Sequence, residues 1–473
     1  MSTHDHAASS RDDVSMRLEE RERILEHQLG YLYDEVLQLK KERYEITYTA
    51  SWLLVRPLLR AEEALVGFVR RLFARGSQPA APAAGEPARP VRAETRAAPP
   101  RRILVDVTGT VLRDMGTGIE RMTKDLSQAL RDADPETCLL VRCENGGLLK
   151  CEAPIGSKRR DLDSPMSIEP GDQLLILADA WNYPQAYDGV FDAVHAGGGR
   201  VIVCVPDVIP ELYPAACHER TVELYQPWLR DILLSADGVL CISRAARDDL
   251  LHVVAERSLP HRPQLPVDWF HIATRFEPRP DVDAREKIRQ LFEGRAHVFL
   301  CVGTFEPRKG QLIAVRAFEQ LWEQGDPARL VFVGRRGWFD YALAARILNH
   351  VEYGRRLFWF DDVKDDELSF LYTHMSALVY PSFAEGFGLP IVEASRCGKP
   401  VICSDIPVFR EVGAEGAIYF PLNDPSALAQ AIRHWEAKAV QARPDRVLGA
   451  TWAEAAARII ETVRNDRWEY RLP

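Results

Sequence analysis

The sequence predicts an α/β protein with two Rossmann-like, doubly wound domains that follow an N-terminal helical region. The first observation is a pair of series, each of five short apolar runs separated by segments with helical periodicity. Continuous apolar runs of this length are typical of parallel strands, because helices cover both faces of a parallel sheet. The second observation is that glycine-containing loops follow several of these runs and precede helices. In doubly wound domains the ligand binds at such loops, at the carboxyl ends of the strands.

Length and composition exclude several classes of protein. The chain has 473 residues, more than one ordinary domain of roughly 100 to 200 residues. Its formal net charge of -9 provides no basic field, so no nucleic-acid partner is expected. The nine cysteines lack the paired spacing of metal sites, and several lie in apolar runs, which indicates reduced thiols. Residues 1–11 have no apolar signal-peptide core, and no apolar run reaches the roughly 18 residues of a membrane span. We therefore expect a cytoplasmic protein.

Residues 1–48 are predicted to form a coiled-coil helix. Leucine or isoleucine recurs at every seventh position, at Leu18, Leu25, Leu32, Leu39 and Ile46. Such a heptad pattern favours association of helices, so a homo-oligomer or a partner protein is expected there. Glu22 and Arg43 occupy would-be core positions, and a single helix packed on the globular body is the alternative.

Residues 49–76 are predicted to form an amphipathic helix, in which leucines and valines alternate with arginines. A wide apolar stripe flanked by arginine suits the anionic inner face of the cytoplasmic membrane, although a helix docked on protein would look the same. Residues 77–100 are rich in proline and alanine and cannot bury a core, so they are expected to act as a semi-rigid linker.

The globular body is predicted to start at Arg101, with one domain at residues 101–283 and a second at 284–473. The strands expected in the first domain are Ile103–Val107, Cys138–Val141, Leu174–Leu177, Val201–Val205 and Gly238–Ile242. Those expected in the second are Val298–Val302, Leu330–Val333, Leu357–Phe360, Ala377–Tyr380 and Val401–Cys403. The final helix of the chain can return to the first domain. The ligand is expected between the two domains.

The most informative motif is a pair of glutamates, Glu385 and Glu393, between a strand-like run and a helix. They bracket the segment Gly386-Phe387-Gly388-Leu389-Pro390. Glycines let backbone N–H groups approach a ligand closely, proline suits the first helical position, and a helix start favours an anion. Two carboxylates beside an anion site would repel it, unless they contact a neutral part rich in hydroxyls. A nucleotide sugar combines both kinds of group.

A second strand, loop and helix carries cationic side chains. Arg308 and Lys309 follow Thr304 in the loop 303–310 and directly precede a helical pattern from Gln311. Cations together with helix N–H groups can hold a diphosphate without a metal. The alternative is an exposed basic turn. A further basic turn at 334–338 either lines the nucleotide cleft or is solvated.

The first domain offers weaker signals. A glycine-rich segment at 116–118 precedes a helix, but its spacing matches neither a dinucleotide fingerprint nor a Walker loop. Asp207 follows the apolar run Val201–Val205 and is placed to meet substrate hydroxyls. An aspartate that initiates a turn is the commoner explanation.

Residues 101–473 resemble glycosyltransferase family 4, whose members are retaining sugar-nucleotide enzymes of the GT-B fold. The segments that carry the resemblance are 385–394, Gly398-Lys399-Pro400-Val401-Ile402 and 303–310. More narrowly, the segments 116–121, 207–210 and 236–243 resemble bacterial mannosyl- or rhamnosyltransferases that build surface polysaccharides.

The resemblance implies roles for individual residues. Glu393 would bind the ribose, while Glu385 would lie near the donor sugar and the reacting centre. The remaining donor-binding residues would be Thr304, Arg308, Lys309, Gly118, Gly386, Phe387, Gly388 and Leu389. Many relatives have arginine at the position of Thr304, so the diphosphate would depend more on Lys309 and Arg308. Asp207 would be a second catalytic group, although many relatives place histidine near this position.

The implied reaction is transfer of a hexosyl unit, mannose or rhamnose, from a nucleoside-diphosphate sugar to a glycan or lipid-linked glycan. The product would be a surface polysaccharide such as the O-antigen of lipopolysaccharide. We expect front-face attack with retention, and a covalent intermediate on Glu385 is the alternative. The sequence has no Asp-x-Asp signature in a fitting loop, so neither a metal nor another cofactor is expected. Two other functions stay open, a catalytically weak scaffold recruited to the membrane and a nucleotide-sugar epimerase on the same fold.

Overall fold

The computed structural model describes residues 101–112, 118–152, 163–177, 179–279, 281–337, 341–435 and 446–473. The predicted coiled coil (1–48), amphipathic helix (49–76) and linker (77–100) lie outside the described residues, as do Gly116 and Thr117. Among the helices that are described, none is both long enough and apolar enough to cross a membrane.

The first sheet has nine strands. They are β1 (Ile103–Asp106), β2 (Cys138–Glu144), β3 (Gly147–Lys150), β4 (Ser164–Met166), β5 (Gln173–Ile176), β6 (Arg200–Val205), β7 (Gly238–Cys241), β8 (Pro266–Trp269) and β15 (Tyr470–Arg471). Their order across the sheet is β15-β8-β7-β6-β5-β1-β2-β3-β4. Strands β8 to β2 in this order are parallel, and β15, β3 and β4 add antiparallel edges.

The second sheet has six strands, all parallel. They are β9 (Val298–Val302), β10 (Arg329–Val333), β11 (Leu357–Phe360), β12 (Ala377–Tyr380), β13 (Val401–Ser404) and β14 (Ala417–Phe420). The order β11-β10-β9-β12-β13-β14 is that of a doubly wound fold, and it reverses between β9 and β12. All ten expected strands are present, so the predicted pair of Rossmann-like sheets is confirmed.

Helices cover both sheets. Those between strands of the first sheet are α1 (Thr108–Leu112), α2 (Gly118–Ala133), α3 (Val190–Ala196), α4 (Ile209–Leu212), α5 (Glu219–Ser235) and α6 (Arg244–Glu256). Those that follow are α7 (Glu286–Arg289), α8 (Gln311–Glu323), α9 (Tyr341–Leu348), α10 (Asp365–His374), α11 (Leu389–Arg396), α12 (Pro407–Gly413), α13 (Pro425–Arg433) and α14 (Trp452–Asn465). Short 3-10 turns lie at Ala180–Asn182, Pro184–Tyr187, Pro214–Ala216, Gln290–Phe292, Pro307–Lys309 and Ala414–Gly416.

The end of the chain lies on the first sheet. Helix α14 packs against α2, and its buried residues Ala456, Ile459 and Val463 share a core cluster with Leu126 and Leu130. Strand β15 then pairs antiparallel with β8. The chain thus crosses from the second sheet back to the first before it ends.

Candidate functional site

The site lies where the strand order of the second sheet reverses. The loops that leave β9 and β12 side by side are 303–310 and 381–388, the two segments with the predicted donor motifs. Ligands of doubly wound domains bind at this point, because neighbouring loops diverge there and leave a crevice. The backbone N–H of Phe383 donates to the backbone oxygen of Arg308 at 2.9 Å, which ties the two loops together.

The loop after β6 of the first sheet reaches the same place. A Cβ atom built on Gly386 would lie 2.8 Å from the backbone oxygen of Pro206 and 3.3 Å from Cβ of Asp207. Only glycine permits this approach without movement of the neighbouring backbone. The hydroxyl of Ser243 also donates to the backbone oxygen of Gly386 at 2.8 Å, so both sheets contribute to the site.

Glu385 is the centre of a buried ion cluster. Its Oε1 accepts from Lys309 Nζ at 2.5 Å and from the hydroxyl of Tyr380 at 2.8 Å, and its Oε2 accepts from Arg308 Nη1 at 2.8 Å. Burial alone would raise the pKa of Glu385, but the charges of Lys309 and Arg308 outweigh it and lower the pKa to about 2. The carboxyl group is therefore ionised at neutral pH.

The two cations reach Glu385 because of the backbone between them and α8. Pro307–Lys309 form a 3-10 turn, and Gly310 then has φ of 66°, with a built Cβ only 2.2 Å from the backbone oxygen of Pro381. Arg308 also pairs with Glu306 at 3.0 Å. Burial, followed by the neighbouring charge of Arg308, lowers the pKa of Lys309. Exposed basic turns lack such contacts, so the alternative interpretation of this loop is wrong.

Glu393 has different partners. It lies in α11, which begins at Leu389 after Gly388 with φ of 106°, so Pro390 is the second helical residue rather than the predicted first. The hydroxyl of Tyr372 donates to Oε2 of Glu393 at 2.8 Å, and Arg121 Nη2 lies 3.8 Å from Oε1. Burial raises the pKa of Glu393, and the charge of Arg121 opposes this.

Asp207 initiates a turn and lies near the ion cluster. Its Oδ1 accepts from the backbone N–H of Ile209 at 3.0 Å, which is the contact of an aspartate that initiates a turn. Burial raises its pKa, while the charges of Arg308 and Lys309 lower it and that of Glu385 raises it. The side chain therefore faces the ion cluster as well.

Thr304, Gly118 and Phe387, which were predicted to bind the donor, lie outside the ion cluster. Thr304 is exposed, and its backbone oxygen accepts from Gln311 Nε2 at 3.0 Å. Gly118 is the exposed first residue of α2. Phe387 is buried, with its ring centroid 6.1 Å from that of His271.

The structure adds residues that the sequence did not single out. Glu411 of α12 accepts from the backbone N–H groups of Arg244 and Ala245, both at 2.8 Å, and lies 2.7 Å from His271 Nε2. The start of α6 is thus capped by a carboxylate from the helix after β13. Capping across 166 residues leaves no local signal in the sequence. Arg121 lies in the segment 116–121, which carries part of the family resemblance. Its contact with Glu393 could not be predicted, because it depends on how the two sheets meet.

Comparisons with known proteins agree with this architecture. Residues 283–447 match the family model described as glycosyl transferases group 1. Over 379 residues the chain is 30% identical to the serotype-specific mannosyltransferase WbdA of Escherichia coli, and the match covers 77% of this chain and 46% of WbdA. The chain therefore spans about half the length of this relative. It is 36% identical over 143 residues to the O-antigen chain mannosyltransferase RfbU of Salmonella typhimurium, with 30% of this chain and 39% of RfbU covered.

Among solved structures, the sucrose-phosphate synthase of Thermosynechococcus elongatus has a similar fold. The TM-score is 0.50 at 19% sequence identity, and the match covers 77% of this chain and 95% of the synthase. At this level of identity the similarity concerns the arrangement of the two sheets alone.

Proposed function

We propose that this chain, whose residues 283–447 match the model of glycosyl transferases group 1, is a retaining glycosyltransferase of surface polysaccharide synthesis. The donor would be a nucleoside-diphosphate hexose. Mannose is the first choice, because the relatives WbdA and RfbU are named as mannosyltransferases, and rhamnose is the second. The acceptor would be a growing glycan or a lipid-linked glycan.

The observation that carries this proposal is the ion cluster of Glu385, Lys309 and Arg308 at the strand-order reversal. Loss of a nucleoside diphosphate from the anomeric carbon makes negative charge grow on the leaving phosphate. Two cations held in a buried site stabilise that charge without reorganisation. We propose that they supply the positive charge that a metal ion supplies in other transferases.

Glu385 is suited to the opposite charge. The sugar becomes oxocarbenium-like as the bond to the diphosphate breaks, and a carboxylate with a pKa of about 2 stays negative beside it. Such a group cannot donate a proton at neutral pH. We therefore assign the acceptor proton to the leaving phosphate: the acceptor oxygen bonds to the anomeric carbon, the bond from that carbon to the diphosphate breaks, and the phosphate oxygen takes the proton.

Glu393 and Asp207 are assigned to recognition. Glu393 would accept hydrogen bonds from the ribose hydroxyls of the nucleotide, and Asp207 would contact a sugar hydroxyl or assist transfer. Gly386, Gly388 and Leu389 would present backbone N–H groups to the diphosphate, with Thr304, Phe387 and Gly118 around it. Oligomerisation through residues 1–48 and membrane contact through 49–76 stay predictions, as does the cytoplasmic location.

The test compares Glu385→Gln with a matched variant, Glu319→Gln. Glu319 also contacts an arginine, Arg346 at 2.8 Å, but it lies on α8 away from the ion cluster. We expect Glu385→Gln to lower the rate of sugar transfer to an acceptor glycan by about a thousandfold, as for loss of a group that stabilises the transition state. Glu319→Gln should keep the wild-type rate. Full activity in the Glu385 variant would overturn the proposal.

The same experiment separates the other functions. If the protein were a scaffold, its Glu385→Gln variant would still restore polysaccharide synthesis in a strain that lacks the wild-type gene. An epimerase would release an altered sugar in the absence of any acceptor, which product analysis detects.

A further inference from the structure

Two aromatic rings meet at the edge of the site, one from each sheet. Tyr213 directly follows α4, in the connection after β6, and Phe383 lies in the loop after β12. Their ring centroids are 5.3 Å apart and the planes are inclined at 71°, an edge-to-face arrangement. The pair is one of the direct contacts between the two sheets.

Both rings are fixed to the catalytic cluster by the backbone. Phe383 is two residues before Glu385, and its N–H donates to the backbone oxygen of Arg308 at 2.9 Å. On the other side, Asp207 accepts from the N–H of Ile209, and the oxygen of Ile209 accepts from the N–H of Tyr213 at 2.7 Å. A molecule that touches the pair is therefore close to Glu385 and Asp207.

Tyr213 is exposed to solvent. Its exposed fraction is 43%. Phe383 is half-buried beside it. An exposed aromatic ring beside a polar site can contact the apolar face of a ligand whose polar groups enter that site.

A pyranose ring is the ligand that fits this chemistry. One face of a pyranose presents C–H groups, which pack on an aromatic face, while its hydroxyls need polar partners. Tyr213 has an apolar ring with a polar hydroxyl, and the carboxylate of Asp207 lies in the same connection. The donor nucleotide is assigned to the loops 303–310 and 385–393, which leaves the sugar of the acceptor for this edge.

We propose that Tyr213 and Phe383 form an acceptor subsite, which holds the terminal pyranose of the glycan beside Glu385. The inference rests on the proposed transferase function and specifies its second substrate. Because each sheet supplies one ring, the subsite is complete only when the two sheets are in contact.

The test measures equilibrium binding of mannotetraose to the full chain by titration calorimetry, in the presence of a nucleoside diphosphate. We expect Tyr213→Leu and Phe383→Leu each to weaken binding about tenfold, since an aromatic contact is replaced by an aliphatic one. Tyr213→Phe, which keeps the ring, should lose no more than about threefold. The dissociation constant of the nucleoside diphosphate should be the same in all variants.

Tyr470→Leu is the matched control, because Tyr470 is 41% exposed but lies on β15, the outer strand of the first sheet. It should bind mannotetraose as the wild type does. Unchanged binding in both Tyr213→Leu and Phe383→Leu, or no binding by the wild type, would overturn the subsite. A protein that binds mannotetraose through these rings but transfers no sugar would contradict the proposed function alone, since calorimetry requires no turnover.

Discussion

Glu385 and Glu393 belong to one motif, yet the structure gives them opposite surroundings. Glu385 contacts two cations and the hydroxyl of Tyr380, and its pKa falls to about 2. Glu393 contacts the hydroxyl of Tyr372, Arg121 Nη2 lies 3.8 Å from its Oε1, and its pKa is raised. The side chains are 8% and 4% exposed, so similar burial has produced shifts of opposite sign.

The difference shows that partners, rather than depth, decide the charge of a buried carboxyl group here. Two direct cations outweigh the desolvation of Glu385, whereas one distant arginine does not outweigh that of Glu393. A fixed negative charge suits a developing oxocarbenium ion. A carboxyl group with little direct charge compensation suits neutral hydroxyls, such as those of a ribose, because these supply the missing hydrogen bonds.

The largest effect expected from this difference is a loss of unfolding free energy in the variant Glu385→Gln. Glu385→Gln leaves Lys309 and Arg308 buried without their shared anion, and a fall in pKa from 4.5 to about 2 corresponds to about 3 kcal/mol. We therefore expect the variant to lose about 3 kcal/mol of unfolding free energy at pH 7, measured by urea denaturation. The half-exposed pair of Glu319 and Arg346 should matter less, and Glu319→Gln should lose under about 1 kcal/mol.

The pH dependence of this loss follows from the sign of the shift. Because the folded pKa of Glu385 lies below its unfolded value, its charge stabilises the fold above about pH 4.5 and stops doing so as the pH falls toward 2. The difference between wild type and Glu385→Gln should be constant above about pH 5.5 and shrink below about pH 4.5. A difference that grows on acidification would contradict the assigned ion cluster.

Glu393→Gln is expected to lower the affinity for the nucleotide rather than the stability of the fold, and the change in free energy should be smaller. Replacement of charge-assisted hydrogen bonds to the ribose by neutral ones should weaken nucleoside diphosphate binding about tenfold, measured by calorimetry. The unfolding free energy of Glu393→Gln should not fall together with this affinity. Since the folded pKa of Glu393 is raised, its carboxyl group favours folding at low pH and loses this contribution as the pH rises through the folded value.

The unfolding free energy of Glu393→Gln relative to wild type should therefore increase with rising pH, opposite to the trend expected for Glu385→Gln. Affinity for the free base and phosphate fragments of the donor serves as the control, because neither contains the ribose. An unchanged dissociation constant for the nucleoside diphosphate would remove Glu393 from the ribose site.

The sequence was sufficient for the architecture because its central strands are buried on both faces. Continuous apolar runs such as Val201–Val205 and Val298–Val302 depend little on context, and all ten were found. Strands β3, β4, β8, β14 and β15 were not expected, and each lies at an edge of its sheet or next to one. Strands β3, β4 and β15 are short and partly exposed, so neither an apolar run nor an alternation identifies them. Strand β14 is a four-residue apolar run that the predicted series did not include.

The candidate site was predictable only where its residues lie in strand-loop-helix motifs. The motifs placed Glu385, Lys309 and Arg308 at adjacent loops, and the structure joins them. The contacts of Ser243 with Gly386 and of Arg121 with Glu393 depend on how the two sheets meet. Tyr372 looks like an ordinary core residue of an amphipathic helix, because its hydroxyl partner is on another helix.

The smallest expected effect comes from two matched tyrosines. Tyr380 donates to Glu385 and Tyr372 donates to Glu393, both at 2.8 Å, and both rings are almost fully buried. Replacement by phenylalanine keeps each ring and removes the hydrogen bond to the glutamate, which typically costs about 1 kcal/mol. At Tyr380 it also removes the bond that Lys309 Nζ donates at 3.3 Å. We expect Tyr372→Phe to lose more unfolding free energy than Tyr380→Phe at pH 7, because Glu385 keeps two directly bonded cations, whereas Glu393 keeps the Thr274 hydroxyl and an arginine 3.8 Å away. Equal losses in urea denaturation would mean that the cations near Glu385 do not compensate for the missing bond.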